Sequence, residues 1–313
     1  MTNFKILITD GLDETGQSIL RDSAEVDDRN NISADELLKA IPEYDALIVR
    51  GRTKVTAAVL EAGSRLKAVG RAGVGVDNID LEAAKKHNVT VVNAPMSTTL
   101  AVAELTFGLL LALAREIPRA DAGMKLGKWL KKELEGVELN GKTLGVIGFG
   151  RIGMEVGKRA SAFGMNVIAY DPLISEDEIK RRGAEPVSIQ DLYAWSDFIS
   201  LHLPLNIQTR DMMGAQAFSE MKDGVRLVCA ARGGIIDQAA LLNALATGKV
   251  AGAALDVFTS EPPGQIDVVT HPRVIGTPHV GAQTVEAQAR ASEDIANEVL
   301  AALQGKPLRW KVN

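Results

Sequence analysis

Three side chains able to bind an anion and transfer a proton lie in the second half of the sequence. Arg232 precedes a glycine pair, Glu261 precedes two prolines, and His279 follows a proline. A guanidinium holds a carboxylate with two parallel hydrogen bonds. An imidazole carries protons near neutral pH, and a neighbouring carboxylate stabilises its charged form. Together, the three residue types predict a site that binds a carboxylate and moves a proton.

Taken singly, each of these residues also fits a structural role, as a surface arginine, a solvated loop acid or a hydrogen-bonded loop histidine. The other histidines show no comparable context. His87 ends a predicted helix and His202 lies at a strand end, so both are predicted to be structural, while His271 in its loop has no evident role.

A glycine-rich segment, GFGRIG at residues 148–153, lies between a hydrophobic run and a helical pattern. Residues 143–147 predict a buried strand, and residues 154–163 predict a helix. A second strand over residues 165–170 ends at Asp171. Strand, glycine turn, helix, strand and acid in this order are typical of a dinucleotide-binding βαβ unit.

Each part of this unit has a physical task. Gly148 permits a tight turn, Gly150 lets the backbone approach a pyrophosphate, and Gly153 lets the helix pack close to the strand. The helix N-terminus presents free N–H groups to the phosphates. Asp171 can accept hydrogen bonds from a ribose diol and would repel a 2′-phosphate, so we predict NAD rather than NADP. The alternative is a tight turn that binds no ligand.

The composition sets limits on the class of protein. A chain of 313 residues is long enough for two domains with separate cores. The net charge of −5 argues against binding to nucleic acid or to an anionic membrane. Cys229 is the single cysteine, which excludes a disulfide framework and a cysteine-cluster metal site, so no metal is expected. With no signal-peptide pattern at the N-terminus, we expect a cytoplasmic protein.

The elements that must position these residues follow from the hydrophobic runs. The runs lack clean alternation, as in parallel sheets covered on both faces. A helical segment over residues 98–117, ended by Pro118, separates two series of strands, and a last helix covers residues 284–303. The predicted strands are residues 4–9, 46–50, 66–70 and 89–93 in the first series, and residues 143–147, 165–170, 198–201, 225–229, 250–255 and 274–276 in the second.

Several motifs in order along the chain resemble the D-isomer-specific 2-hydroxyacid dehydrogenases. Besides the glycine turn, they are GRAGVGVDN at residues 70–78, ARGG at residues 231–234, ALDVF at residues 254–258 with Glu261-Pro262, and PHVG at residues 278–281. Residues 49–50, 53–55 and 140–145 are most similar to the branch that acts on 3-phosphoglycerate. Some members of that branch carry C-terminal regulatory domains, and because this sequence stops at Asn313 after the last predicted helix, we expect a form without them.

The resemblance implies an α/β fold of two doubly wound parallel-sheet domains. A flavodoxin-like substrate domain is expected over residues 1–97 plus 284–313, and a Rossmann domain that binds NAD over residues 98–283. A homodimer packed through the apolar helix at residues 105–114 is also expected.

The resemblance also implies roles for individual residues. Arg232 would hold the substrate carboxylate and carbonyl, His279 would be the acid and base on the 2-hydroxyl, and Glu261 would keep His279 charged. The implied cofactor-binding residues are Val102, Gly148, Gly150, Arg151, Ile152, Gly153, Asp171, Pro172, Leu203, Pro204, Thr209, Ala230, Ala231, Arg232, Asp256, His279, Gly281 and Ala282. The implied substrate-binding residues are Arg50, Arg71, Val74, Gly75, Arg232 and His279.

The substrate is expected to be a small 2-hydroxy or 2-oxo acid. A basic cluster of Arg50, Arg52, Lys54 and Arg71 favours a phosphorylated one, most of all the pair 3-phosphoglycerate and 3-phosphohydroxypyruvate of serine biosynthesis. Alternatively, these four residues are solvated turn residues that bind no phosphate, and the enzyme is then a glyoxylate or hydroxypyruvate reductase. Two further alternatives are an NAD(H)-sensing corepressor-like binding protein and a formate-oxidising relative.

Two positions depart from the family pattern. Cys229 stands where many relatives have an asparagine, and Val74 stands where several have a threonine. Neither change removes a catalytic side chain.

Overall fold

The structure is a computed structural model that describes residues 4–313. The chain divides into two compact units. Unit 1 consists of Met1–Thr99 and Ala282–Asn313, and unit 2 is Leu100–Gly281. The assignment of a substrate domain and an NAD-binding domain with the boundaries given above stays a prediction.

The elements of the first half of the chain are β1 (Phe4–Ile8), α1 (Glu14–Arg21), β2 (Ala24–Asp28), α2 (Ala34–Ala40), a short 3-10 helix (Ile41–Glu43), β3 (Ala46–Val49), α3 (Ala57–Ala62), β4 (Ala68–Arg71), α4 (Leu81–Lys86), β5 (Thr90–Asn93), α5 (Thr99–Ala114) and α6 (Ile117–Lys125). The elements of the second half are β6 (Thr143–Ile147), α7 (Arg151–Ala162), β7 (Asn166–Tyr170), α8 (Glu176–Arg181), β8 (Glu185–Pro186), α9 (Ile189–Trp195), β9 (Phe198–Leu201), α10 (Ala215–Glu220), β10 (Val225–Cys229), α11 (Gln238–Ala246), β11 (Val250–Leu255), α12 (Asp267–Thr270), β12 (Val274–Gly276) and α13 (Val285–Leu303).

Unit 1 contains a five-stranded parallel sheet in the order β2-β1-β3-β4-β5. This is the flavodoxin-like order. Successive residues of β1 point to opposite faces, so Ile6 and Ile8 join one hydrophobic cluster and Leu7 joins another. Both faces are therefore buried, which explains the continuous hydrophobic runs in the sequence.

Unit 2 contains a seven-stranded parallel sheet in the order β12-β11-β10-β9-β6-β7-β8. The chain starts in the middle at β6, moves outward to β8, and then returns to build the other half from β9. That reversal is the doubly wound Rossmann arrangement, with a ligand crevice expected where the order reverses. The α/β fold with two doubly wound sheets is thus confirmed.

The predicted helix over residues 98–117 is confirmed for Thr99–Ala114 and wrong only at its end. α5 ends at Ala114, Glu116 adopts a left-handed conformation with φ of 48°, and Pro118 lies in the first turn of α6. Proline is tolerated there because its missing N–H has no helical partner in that turn, so Pro118 marks a start rather than an end. Within residues 4–313, no helix is both long enough and apolar enough to cross a membrane.

Candidate active site

Apart from Val102 on α5, the predicted site residues of unit 2 follow the carboxyl ends of its parallel strands. β6 and β7 precede the glycine turn and Asp171, β9 precedes residues 202–209, and β10, β11 and β12 precede the segments with Arg232, Glu261 and His279. Parallel strands end at the same edge of a sheet, so these segments emerge side by side.

The glycine turn leaves a helix N-terminus open. Gly148 has φ of +88°, and a Cβ there would lie 2.4 Å from His202 O, while a Cβ at Gly153 would lie 2.2 Å from Gly148 O. Gly150 faces open space and serves as the N-cap of α7 without a side-chain hydrogen bond. Arg151 begins the helix and is exposed, and Ile152 packs against the core. Free N–H groups beside open space fit a pyrophosphate.

Asp171 joins the end of β7 to the glycine turn. Its Oδ2 accepts a hydrogen bond from Phe149 N at 2.9 Å, and its Oδ1 accepts one from Leu173 N at 2.9 Å, across Pro172. Arg182 donates from Nη1 to Phe149 O at 2.7 Å. The peptide groups around Phe149 are therefore held from both sides, and sequence reasoning missed Arg182 because no motif marks it.

Residues 202–209 form the next segment of this edge. Burial lowers the pKa of His202 to about 4, so its ring is neutral at neutral pH, and Nε2 lies 2.7 Å from Ser200 Oγ. Thr209 Oγ1 donates to Pro204 O at 2.6 Å and accepts from Asn206 N at 2.8 Å, which closes the turn that follows Leu203. A neutral, partly buried His202 fits the predicted structural role.

Arg232 follows β10 by way of Ala230 and Ala231. Its Nη1 donates to Ala231 O at 2.6 Å, and the thiol of Cys229 lies 3.7 Å from Arg232 O. Burial raises the pKa of Cys229 to about 11, so the thiol stays protonated. A Cβ at Gly233 would lie 1.9 Å from Phe258 O, which shows how closely this turn packs against the segment after β11.

Glu261 and His279 form a hydrogen-bonded pair. His279 Nδ1 lies 2.7 Å from Glu261 Oε2, and Glu261 Oε1 accepts a bond from Phe258 N at 3.1 Å. Partial burial raises the pKa of Glu261, but the hydrogen bonds from His279 and Phe258 and the charges of His279 and Arg232 outweigh this and hold the pKa below its ordinary value. The His279 side chain is 48% exposed, so its Nε2 edge is available to a ligand.

Asp256 holds the segment that carries His279. The residue is fully buried, and its Oδ1 accepts from Thr277 Oγ1 at 2.6 Å and from Val280 N at 2.8 Å, while Oδ2 accepts from Gly281 N at 2.8 Å. These bonds flank His279, whose φ of 52° is uncommon for a residue with a side chain. Asp256 therefore supports the backbone strain at His279.

The remaining predicted cofactor residues lie in different units. Val102 of α5 packs beside Gly281, since a Cβ at Gly281 would lie 3.3 Å from Val102 Cγ2. Ala282 belongs to unit 1, where its carbonyl accepts a hydrogen bond from Gln288 Nε2 at 2.6 Å.

In unit 1, Asp10 organises the segment after β3. Its Oδ2 accepts from Arg50 N at 2.8 Å and Thr53 N at 3.0 Å, and its Oδ1 forms an ion pair with Arg52 Nη2 at 3.0 Å. Burial lowers the pKa of Arg50. Arg52 is thus paired with Asp10, so the members of the predicted basic cluster (Arg50, Arg52, Lys54 and Arg71) differ in their contacts. Asp10 was not predicted as a site residue, although its position directly after the predicted strand at residues 4–9 could have indicated it.

Arg71, Val74 and Gly75 lie after β4 in unit 1. Arg71 Nη1 donates to Ala72 O at 3.4 Å, and a Cβ at Gly73 would collide with this guanidinium. Within residues 4–313, the backbone N–H groups of Val74 and Gly75 donate to no protein acceptor. They are therefore free to donate to an anion.

The fold and the paired side chains of His279 and Glu261 define a class: a Rossmann protein with a histidine–carboxylate pair at the carboxyl end of its sheet. Residues 107–281 match the family model described as D-isomer specific 2-hydroxyacid dehydrogenase, NAD binding domain. The chain belongs to this family, and unit 2 contains its NAD-binding domain.

Relatives and solved structures agree with this assignment. The chain is 50% identical over 310 residues to a D-3-phosphoglycerate dehydrogenase of Methanocaldococcus jannaschii, and 48% identical over 310 residues to one of Rattus norvegicus. The matches cover 99% of this chain but only 59% and 58% of those proteins. A glyoxylate reductase structure from Paecilomyes thermophila is similar with a TM-score of 0.91 at 30% identity, covering 100% of this chain and 99% of that one.

Proposed function

We propose that the chain is an NAD-dependent dehydrogenase that interconverts a D-2-hydroxy acid and its 2-oxo acid. The observation that carries this proposal is the 2.7 Å contact between His279 Nδ1 and Glu261 Oε2, within a domain of the NAD-binding family. Oxidation of an alcohol needs a group that takes the hydroxyl proton while the hydride leaves. A histidine held by a carboxylate is such a group.

The chain's own residues manage the proton and the charge. NAD, when bound, takes up or supplies the hydride. In oxidation His279 accepts the hydroxyl proton at Nε2, because Nδ1 is occupied by Glu261, and in reduction it returns that proton. Arg232 binds the substrate carboxylate and stabilises the charge that develops on the reacting oxygen, a contribution of about 3 kcal/mol for one well-placed donor.

We infer that the substrate pair is 3-phosphoglycerate and 3-phosphohydroxypyruvate, which would place the reaction in serine biosynthesis. Two relatives at 48–50% identity carry the name D-3-phosphoglycerate dehydrogenase. In unit 1 the N–H groups of Val74 and Gly75 would receive the substrate carboxylate, and Arg50 and Arg71 would bind the phosphate.

A second candidate is a glyoxylate or hydroxypyruvate reductase, favoured by the likeness to the fungal glyoxylate reductase. Steady-state kinetics with 3-phosphohydroxypyruvate, hydroxypyruvate and glyoxylate, each with NADH and NADPH, separate the two. We expect kcat/KM to favour the phosphorylated acid by about a hundredfold, as a charge-assisted contact implies. A higher kcat/KM for the unphosphorylated acids would support the reductase. Tight NADH binding without turnover would support the corepressor-like alternative.

The phosphate contact has its own test in unit 1. Arg50→Ala should lower kcat/KM for 3-phosphohydroxypyruvate by roughly tenfold or more and leave glyoxylate almost unaffected. Arg65→Ala is the matched control, because Arg65 is an exposed arginine of the same unit that pairs with Asp45 at 3.0 Å. Equal losses on both substrates in Arg50→Ala would argue against a phosphate contact.

We also propose a homodimer that buries an apolar surface of unit 2. Large side chains from α5 to the segment after α6 are exposed there, namely Leu100, Ile117, Met124, Leu126 and Trp129. Large exposed apolar side chains are candidates for burial against a second copy of the chain. Light scattering after size exclusion should give twice the mass of 33.4 kDa, and a monomer at all concentrations would contradict the proposal.

A cytoplasmic location is proposed as well. It is supported by Cys229, a free thiol that is buried and therefore suited to a reducing compartment. Cell fractionation that finds the protein outside the cytoplasm would contradict it.

A further inference from the structure

We propose that Asn93 is a positioning residue that aims the backbone N–H of Gly75 at the substrate carboxylate. This role rests on the proposed function, which assigns the N–H groups of Val74 and Gly75 to that carboxylate. Asn93 itself would not touch the substrate.

Asn93 holds the segment that follows the neighbouring strand. It is the last residue of β5 and pairs in register with Arg71, the last residue of β4. Its Nδ2 donates to Val74 O at 2.7 Å, and the next residue, Ala94, donates from N to Gly73 O at 2.9 Å. Two successive carbonyls of the segment, those of Gly73 and Val74, are therefore bound by two successive residues at the end of β5, Ala94 and Asn93.

Peptide geometry carries this contact to Gly75. The Val74 carbonyl and the Gly75 N–H belong to one planar trans peptide group, so they point in opposite directions. Fixing the carbonyl through Asn93 Nδ2 fixes the direction of the N–H as well. Because that N–H has no protein acceptor within residues 4–313, its direction is set for a ligand.

The segment needs such a contact because its own backbone does not set the peptide's direction. Glycines stand on both sides of Val74, and Gly73 has φ of +147°, a conformation that residues with side chains rarely adopt. Glycine populates several backbone conformations at similar free energy. Val74 is also 36% exposed, so core packing does not hold its side chain. Without Asn93, the peptide between Val74 and Gly75 would be free to rotate.

The C-terminal residues bind the backbone of Asn93 and not its side chain, which donates to Val74 O. The backbone N–H of Asn93 donates to Trp310 O at 3.3 Å. Trp310 is itself held, because its N–H donates to the buried carboxylate of Glu298 at 3.0 Å, which also accepts from Arg309 N at 3.0 Å. The backbone of β5 is thus satisfied by these residues, and the side-chain amide serves the segment after β4.

The test compares Asn93→Ala with a control, Asn313→Ala, whose residue contacts the beginning of the same strand. Asn313 donates from Nδ2 to Val89 O at 2.8 Å and accepts from Val91 N at 2.9 Å, so Asn313→Ala removes contacts to the β5 region but none to Val74. The KM and kcat of both variants are measured for 3-phosphohydroxypyruvate and for glyoxylate, together with the KM for NADH.

Asn93→Ala should raise the KM for both 2-oxo acids by about tenfold or more, since both have the carboxylate, and leave the KM for NADH within about twofold. Asn93→Asp should raise it further, because an acceptor would then face the Val74 carbonyl. Asn313→Ala should lower Tm without changing KM. An unchanged KM in Asn93→Ala, or the same KM change in Asn313→Ala, would overturn the proposal.

Two further observations keep the outcomes separate. If the wild-type chain reduces none of the 2-oxo acids, the proposed function fails first, whereas an active wild type with an unchanged Asn93→Ala refutes only the role of Asn93. If the variant does not fold, the Gly75 amide resonance of the wild type is followed by NMR as oxamate is added. A downfield shift supports the contact, and no shift at saturation overturns it.

Discussion

Replacing Asp256 by asparagine tests whether a buried carboxylate holds the segment that carries His279. The carboxylate accepts three hydrogen bonds of 2.6–2.8 Å, from Thr277 Oγ1, Val280 N and Gly281 N. Asparagine keeps one oxygen for the first two, but its NH2 group faces the Gly281 N–H. A buried donor without an acceptor costs about 1–3 kcal/mol, and two bonds lose their charge assistance. We therefore expect a loss of about 3 kcal/mol in the free energy of unfolding.

In a unit of this size, that loss corresponds to a fall in Tm of roughly 6–12 °C, measured by circular dichroism. The kcat for reduction should fall at least about tenfold, because the imidazole is no longer held in position. Asp197→Asn is the control, since this carboxylate accepts from Thr143 N at 2.8 Å at the amino end of the sheet, so it should lower Tm but not kcat. Wild-type Tm and kcat in Asp256→Asn would refute the reasoning.

Three other predictions concern unit 2. Gly153→Ala should lower Tm, because its Cβ would lie 2.2 Å from Gly148 O. Gly150→Ala should keep Tm but raise the KM for NADH, because its Cβ would enter the open space at the helix N-terminus. The reverse pattern would exclude a pyrophosphate at this turn. Because the pKa of Glu261 is lowered in the folded state, its carboxylate stabilises the fold at pH values above its ordinary pKa, and this stabilisation is lost as the pH falls. The Tm of Glu261→Gln should therefore fall less between pH 7 and pH 4 than the Tm of the wild type. Equal falls in Tm would contradict this. Asp171→Ser should raise kcat/KM for NADPH about tenfold, and no change would show that this carboxylate does not select the cofactor.

The central strands were predictable from the sequence because both faces of each sheet are buried. The predicted spans 143–147, 198–201 and 225–229 coincide with β6, β9 and β10. β2 and β8 were missed because neither has a hydrophobic run: β2 has the acidic sequence AEVDD, and β8 has two residues, one of them a proline. Hydrophobic runs do not mark such strands.

The contact between Glu261 and His279 was implied by the resemblance to the family, while the residues themselves indicated only that both follow predicted strand ends. Asp10 and Arg182 were not predicted, because each acts on the backbone of a distant segment, at Arg50 N and at Phe149 O. Long-range contacts of this kind depend on the tertiary fold and have no local pattern. The strain at His279 was equally hidden, since only the bonds to Asp256 reveal what supports it.

The central claim is that His279 is the acid and base of a hydride-transfer reaction. The most direct test is the kcat of His279→Ala for reduction of 3-phosphohydroxypyruvate and glyoxylate with NADH, beside the Kd for NADH from fluorescence. We predict that kcat falls by about 10²–10⁴ while the Kd for NADH stays near that of the wild type. A kcat close to that of the wild type on both acids would contradict the assignment.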